Sequence, residues 1–331
     1  MYHWDLPQRL QDLGGWANPL SVDWFTDYAR VIFSLYADRV KTWITMNEPL
    51  LICDMGYANI MAPSVSDLEV GRYLCGKHVL LAHAAAWRMY DEHYRPKYNG
   101  TIYKVANVLN NNFCSTEGGW PPILQKIIAE KSKEEGYPFS RLLEFTEKEK
   151  EFVKGTYDYF GLNYYTSRMV RMRRADEPRA KTYLDGDADM DFLYEINPAW
   201  KDTANAWFKQ CPDGLRLSLQ WIKETYGDLK VLITEVGFST ESDALEDHDR
   251  IQFFKDYMEQ VVLSIKKDTV NVIGFTVWSL IDNFEWLDGY QAKFGLYAVN
   301  FTDPNRRRTP RLSSKFYANV IKHHSLDVPV V

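Results

Sequence analysis

Val40-Lys41-Thr42-Trp43-Ile44-Thr45-Met46-Asn47-Glu48-Pro49 is the stretch on which the fold turns. Its β-branched, aromatic and apolar residues suit a strand inside a sheet. The run stops at Asn47-Glu48-Pro49, because proline lacks the N–H that a central strand must donate. Upstream, Trp24, Phe25, Tyr28, Ile32, Phe33 and Tyr36 recur at three- and four-residue steps, so a helix is expected there with Ser21 as its cap. Downstream, a helix is expected through Tyr73, Val79, Leu80, Ala84 and Trp87, then a strand over Tyr103 to Leu109. The alternation continues with a helix over Ile123 to Lys133, a strand over Tyr159 to Asn163 and a helix over Leu215 to Thr225. Leu229 to Thr234 reads as a strand, Asp247 to Lys266 as a helix with Ile251, Phe254, Met258 and Val262 on one face, Val272 to Trp278 as a strand and Ser313 to Lys322 as a closing helix.

Apolar strands alternating with helices specify an α/β fold, a parallel sheet covered by helices. A chain of 331 residues fits one α/β barrel, and a single domain over residues 1–331 is expected. The noteworthy polar residues lie just past the carboxyl ends of strands: Asn47 and Glu48, Asn163 and Tyr165, Glu235, and the run Trp278 to Trp286. In a parallel barrel that end gathers the catalytic groups.

Composition narrows the function. The net charge of −6 speaks against a nucleic-acid binder, which needs a basic face. The one basic run, Arg306-Arg307-Arg308 with Arg311, reads as a solvated turn. Cys53, Cys75, Cys114 and Cys211 form no CxxC pair, so their spacing points to neither zinc nor a redox dithiol. The seven histidines lack HExxH spacing, and His83, in an Ala-rich helix, reads as a satisfied core residue; no metal and no cofactor are expected. No GxGxxG or P-loop is present. No apolar run is long enough for a membrane span, and the first residues do not read as a signal peptide. Sequons stand at Asn99 and Asn300. Aromatic residues make up 15% of the chain, enough to fill a large core or to line a site that stacks flat apolar faces such as sugar rings.

Glu48 and Glu235 each end an apolar strand, where a charge is costly unless it faces an open cleft. Two carboxylates on different barrel strands suit glycoside hydrolysis, one as acid and one as base or nucleophile; two exposed loop glutamates are the plainer alternative. Trp278-Ser279-Leu280-Ile281-Asp282-Asn283-Phe284-Glu285-Trp286 sets two indoles beside a carboxylate, an arrangement that can stack on a pyranose and accept bonds from its hydroxyls. A core tryptophan with a surface glutamate is the other reading.

Six stretches, in order along the chain, resemble glycoside hydrolase family 1, the retaining β-glucosidase family, and its insect members most. They are Tyr2-His3-Trp4-Asp5-Leu6-Pro7, Thr45-Met46-Asn47-Glu48-Pro49, Phe160-Gly161-Leu162-Asn163-Tyr164-Tyr165-Thr166, Ile233-Thr234-Glu235, Trp278 to Trp286, and Phe294-Gly295-Leu296. The resemblance implies a (β/α)8 TIM barrel and a glycoside substrate. It implies Glu48 as general acid and then base, and Glu235 as nucleophile. Asn47 would bind the 2-hydroxyl, Tyr165 would hydrogen-bond the nucleophile, and Asn163 would support the carboxylate pair. His3 and Trp286 would bind near the 3-hydroxyl and Glu285 the 4- and 6-hydroxyls. Trp278 would floor the glycone pocket, Phe294 would form part of its wall, and Trp4 would sit beside His3.

Several positions depart from the family pattern. Val236 follows the nucleophile where Asn is usual, and Lys293 stands where Arg is usual. The family has more chain between Asn112 and Cys114. It also carries two further strands before Tyr2, with a Gln for the sugar and an Arg for the nucleophile. The expectation is therefore a barrel incomplete at the N-terminus, with little or no activity of its own. A non-catalytic carbohydrate-binding relative and an insect-type thioglucosidase are the alternatives; the presence of both glutamates favours the enzyme lineage. The glycone, the aglycone and the oligomeric state stay open, and a secreted location is expected if a signal peptide precedes Met1.

Overall fold

The structure, a computed structural model, describes residues 1–107, 118–182 and 184–330. Cys114, the Asn112–Cys114 gap and the last two residues of the strand expected over 103–109 lie outside the described residues. The chain divides into two compact units, residues 1–161 with 170–195, and residues 162–169 with 196–331.

The first unit opens with α1 (Gln8–Asp12) and α2 (Ser21–Tyr36). α2 buries Phe25, Ala29 and Phe33, one residue per turn, against Trp16, Trp43 and Tyr90. Tyr28 and Tyr36, expected on that face, are 44% and 43% exposed. Ser21 does not cap this helix. It is the first helical residue, and the chain enters through Asn18, whose Oδ1 accepts from the Leu20 N–H at 2.9 Å. Leu20 holds the cap position and no side chain caps the helix; Ser21 lies one residue too far along to do so.

β1 (Thr42–Ile44) follows, then α3 (Pro49–Tyr57) and α4 (Gly71–His93). Pro49 opens α3, where a missing N–H costs nothing. α5 (Arg95–Tyr98) leads to β2 (Thr101–Asn107), which pairs with β1 in parallel, Thr42 opposite Thr101 and Trp43 opposite Ile102. Tyr2 adds a parallel bridge to Met46, just beyond β1. α6 (Pro122–Glu134) and α7 (Glu147–Val153) come next, and α7 carries a complete capping box between Thr146 and Glu149.

β3 (Tyr159–Asn163) begins in the first unit and ends in the second. Strand order is β1-β2-β3 on the first side. β4 (Met169–Met172), β5 (Gly186–Asp187) and β6 (Phe192–Glu195) form a small sheet in the order β4-β6-β5. An ionic cluster ties this sheet's segment to α4 and to the stretch between α6 and α7: Asp189 pairs with Arg141 at 2.7 Å and with Arg72, and accepts from Tyr73. These arginines hold the Asp189 carboxyl down at about 2, overcoming its burial.

In the second unit, β7 (Lys201–Asp202) and β8 (Lys209–Gln210) make a short ladder before α8 (Pro212–Tyr226), β9 (Val231–Val236), α9 (His248–Lys266) and β10 (Val272–Val277). β9 pairs in parallel with β10, and the order continues β3-β9-β10. β9 is buried along nearly its whole length, as a strand covered on both faces must be. α9 buries Ile251, Phe254 and Met258 as expected, with Val261 rather than Val262 completing the face. β11 (Tyr297–Val299) and β12 (Arg308–Pro310) form a hairpin, and α10 (Leu312–His323) follows. The parallel strands among the described residues are thus β1, β2, β3, β9 and β10, with the Tyr2–Met46 bridge beside them.

One expectation about the surface fails. Arg306 and Arg307 are exposed, but Arg311 is wholly buried. Both arms of its guanidinium meet Asp282 at 2.9 Å. Charge patterning along the sequence places like charges together; it does not reveal that one of them has a partner 29 residues away.

Candidate active site

The candidate residues divide between the two units. In the first, Asn47 and Glu48 form the turn from β1 into α3. Glu48 adopts a left-handed backbone, φ 49° and ψ 60°, which side-chain-bearing residues avoid. The side chains of Asn47 and Glu48 are buried. The Asn47 N–H donates to the Tyr2 carbonyl at 3.0 Å, and the Tyr2 N–H donates to Thr45 at 2.9 Å, which draws His3 and Trp4 to this turn. Trp4 Nε1 donates to the Asn47 carbonyl at 3.0 Å, and Asn47 Nδ2 lies 3.3 Å from His3 Nε2. With the amide donating, His3 accepts at Nε2 and carries its proton on Nδ1. Burial above all pushes the His3 imidazole below its usual range, which keeps it neutral. The His3 and Trp4 rings lie 6.0 Å apart.

His83 stands under the same turn. Its Nε2 faces the Thr156 carbonyl at 2.5 Å, so that nitrogen donates, and Nδ1 lies 2.6 Å from Thr45 Oγ1. The core reading of this histidine is the one observed.

In the second unit, Glu235 is the fifth residue of β9 and is 9% exposed. Tyr165 Oη donates to its Oε2 at 2.8 Å, and the Tyr164 N–H donates to its carbonyl at 2.8 Å. A phenol donating to a carboxylate fixes its rotamer. Thr234 Oγ1 donates to Asn163 Oδ1 at 2.6 Å, linking the ends of β9 and β3. The Tyr165 ring stands edge-on to Trp207, Phe208 and Phe294, with centroids 6.2, 5.9 and 6.0 Å away. Trp207 and Phe208 are contributors the sequence reading missed; no motif marks them.

Trp278 follows β10, and its Nε1 donates to Glu285 Oε1 at 3.1 Å. Burial, partly offset by bonds from Trp278 and Asn283, raises the Glu285 carboxyl to about 7. Trp286 lies on the following turn with φ 50° and is 36% exposed. Phe294 is buried at 3%. Gly237, two residues past Glu235, permits a close approach: a Cβ there would overlap the Trp278 carbonyl oxygen and come within 2.9 Å of Phe294 Cδ1. Val236, the departure after Glu235, faces the interior with no exposure. Lys293 pairs with Asp243 at 2.5 Å. Among the described residues no group of three or more His, Cys, Asp or Glu is placed to hold a metal, and no helix is long and apolar enough to cross a membrane.

In the second unit, Glu235 and Glu285 are thus buried carboxylates held by a phenol and an indole donor beside aromatic rings. The model of Glycosyl hydrolase family 1 matches residues 1–118 and 101–326. Myrosinase 1 of Brevicoryne brassicae is 40% identical over 97% of this chain and 73% of its own length. Cytosolic beta-glucosidase of Cavia porcellus is 36% identical over 99% of this chain and 75% of its own. The solved structure of an aphid myrosinase superposes with a TM-score of 0.88 at 39% identity, over 97% of this chain and 74% of that one. The chain belongs to glycosyl hydrolase family 1. It is a glycoside hydrolase of the retaining β-glycosidase type with an α/β fold, similar in structure to that family's barrels, and it spans about three quarters of the relatives named.

Proposed function

We propose that Glu235 is the nucleophile and Glu48 the general acid and base in the hydrolysis of β-glucosides. The supporting observation is the Tyr165–Glu235 bond: a buried strand-end carboxylate held in one orientation by a 2.8 Å phenol donor. In the first step Glu235 attacks the anomeric carbon and the glycosidic C–O bond breaks. The departing oxygen takes the proton of Glu48, leaving a glycosyl ester on Glu235. In the second step water gives a proton to Glu48 and attacks the same carbon, and the ester bond breaks. Asn47 binds the 2-hydroxyl and His3 and Trp286 the 3-hydroxyl region. Glu285 takes the 4- and 6-hydroxyls, Trp278 stacks under the ring, and Phe294 and Trp4 wall the pocket. Asn163 supports the nucleophile's strand through Thr234.

A 2-fluoro-β-glucoside with a dinitrophenyl leaving group tests this. Fluorine slows both steps, and the good leaving group restores the first, so the ester accumulates. Mass spectrometry is expected to find the sugar on the peptide containing Glu235; labelling elsewhere overturns the assignment.

Similarity to Myrosinase 1 supports a second reading, hydrolysis of thioglucosides. Parallel turnover of S-aryl and O-aryl glucosides decides between them. The Cys53–Cys75 disulfide supports residence in an oxidising compartment, which fractionation of secreted from retained protein tests.

A further inference from the structure

Glu48 sits on a backbone turn that does not hold itself. Its left-handed φ of 49° is unfavourable for a residue with a Cβ. On one side lies β1, three residues long; on the other lies α3, nine residues long. Helices this short are not stable alone. The Glu48 carbonyl accepts from the Ile52 N–H at 3.1 Å, so the turn moves with α3.

One helix grips both flanks. From α4, His83 reaches Thr45, three residues before Glu48, at 2.6 Å. Near the start of α4, Cys75 is bonded to Cys53, five residues after Glu48, in the second turn of α3. Arg72 meets Asp54, the next residue, at 3.3 Å. Gly71 lets the helices touch, since a Cβ there would stand 2.6 Å from Tyr57 Cδ1. Cys53 and Cys75 are buried, as is Asp54, whose carboxyl burial raises to about 6 despite Arg72. The ionic link therefore weakens as pH falls through that value, while the covalent link does not.

We propose that the Cys53–Cys75 disulfide is a positioning device for the general acid, holding α3 against α4 so that the Glu48 turn keeps its place. Cys53 and Cys75 are then positioning residues, and opening their bond selectively impairs protonation of the leaving group. The proposal rests on the reading of Glu48 as the acid. A cross-link that only stabilises the fold would lower all activities together.

The experiment compares phenyl β-glucoside, whose leaving group needs a proton, with 2,4-dinitrophenyl β-glucoside, whose leaving group does not. Three proteins are measured: the oxidised chain, the same chain reduced and alkylated, and Cys53→Ala with Cys75→Ala. Displacing a catalytic group by about 1 Å costs on the order of 100-fold, and general acid catalysis is worth about 10²–10⁴-fold. A loss of roughly 10- to 100-fold in kcat/KM is expected on the phenyl substrate, with kcat/KM for the dinitrophenyl substrate changed less than about twofold, because kcat/KM reports the first step alone and not the later step in which Glu48 acts as base. Equal losses on both substrates, or no loss, overturn the proposal. Hydrogen exchange supplies a readout independent of turnover. Opening the disulfide is expected to lower protection at the α3 amides and leave β9 and α9 protected. Unchanged α3, or loss across the whole chain, overturns it. Glu48→Gln separates the two readings: if it shows no leaving-group dependence, the acid assignment itself fails. If it does and the disulfide variants do not, only the positioning role fails.

Discussion

Arg311 and Asp282 form a two-armed ion pair inside the second unit, 2.9 Å on each arm, and neither side chain has more than 4% of its surface exposed. The remaining capacity of the carboxylate is filled by the N–H groups of Gly295 at 3.0 Å and Val299 at 3.2 Å. Arg311 also donates to the Gly295 carbonyl at 2.6 Å. The pair thereby ties the loop carrying Trp278 and Glu285 to the segment carrying Phe294. Removing one partner of such a pair strands the other charge in a dry site, which costs about 3–5 kcal/mol. Arg311→Ala is expected to lose stability of that order in urea unfolding. Arg307→Ala, whose side chain is 73% exposed, is expected to stay within about 0.5 kcal/mol.

Tyr165→Phe removes a single donor from Glu235 and keeps the ring that packs on Phe294. A hydrogen bond to a charged group is worth about 1.5–3 kcal/mol, so kcat/KM is expected to fall by roughly 10- to 100-fold. Steady-state kinetics with matched unfolding curves check this. Unchanged kinetics would show that the phenol does not serve the nucleophile.

Glu285 predicts a pH dependence of stability. Its carboxyl is raised to about 7 by burial, above its value in the unfolded chain. A raised carboxyl favours the folded state while protonated, and that contribution is lost as pH climbs from about 4.5 to 7. The difference is on the order of 3 kcal/mol. Glu285→Gln, which keeps an acceptor for Trp278, is expected to match the parent protein at pH 4 and exceed it at pH 8. Thermal unfolding at the two values measures it; equal offsets at both would exclude the buried charge as the cause.

Gly237→Ala is expected to push the Trp278 carbonyl away from β9. The overlap is with backbone, which yields less readily than a side-chain tip, so a loss of about 1–3 kcal/mol is expected. Inhibitor affinity should fall too, because the displaced residue is the proposed floor of the sugar pocket. Unchanged affinity in a destabilised variant would separate Trp278 from glycone binding.

Strand and helix order was legible because period and composition are local properties. β3 was read to its exact ends, and α9 to within one residue, from apolar spacing bounded by turn residues. The short ladders of residues 169–210 were not legible, since strands of two to four residues carry too few positions to show alternation. α7 could have been found, because its capping box from Thr146 to Glu149 is written in the sequence.

The alternation of strands and helices, the placement of Glu48 and Glu235 at strand ends, and the ordered motifs that carry the family are all written along the chain. Each depends on neighbours within a few positions, or on the identity of the residue itself. Folding in three dimensions was needed to show that Ser21 is not a cap, that Arg311 is buried on Asp282, that Cys53 meets Cys75, and that Thr45 and Cys53 are held by one helix. Those pairings join residues 22 to 38 positions apart. The energy that selects them is burial and charge pairing in three dimensions, and that energy leaves no periodic trace along the chain.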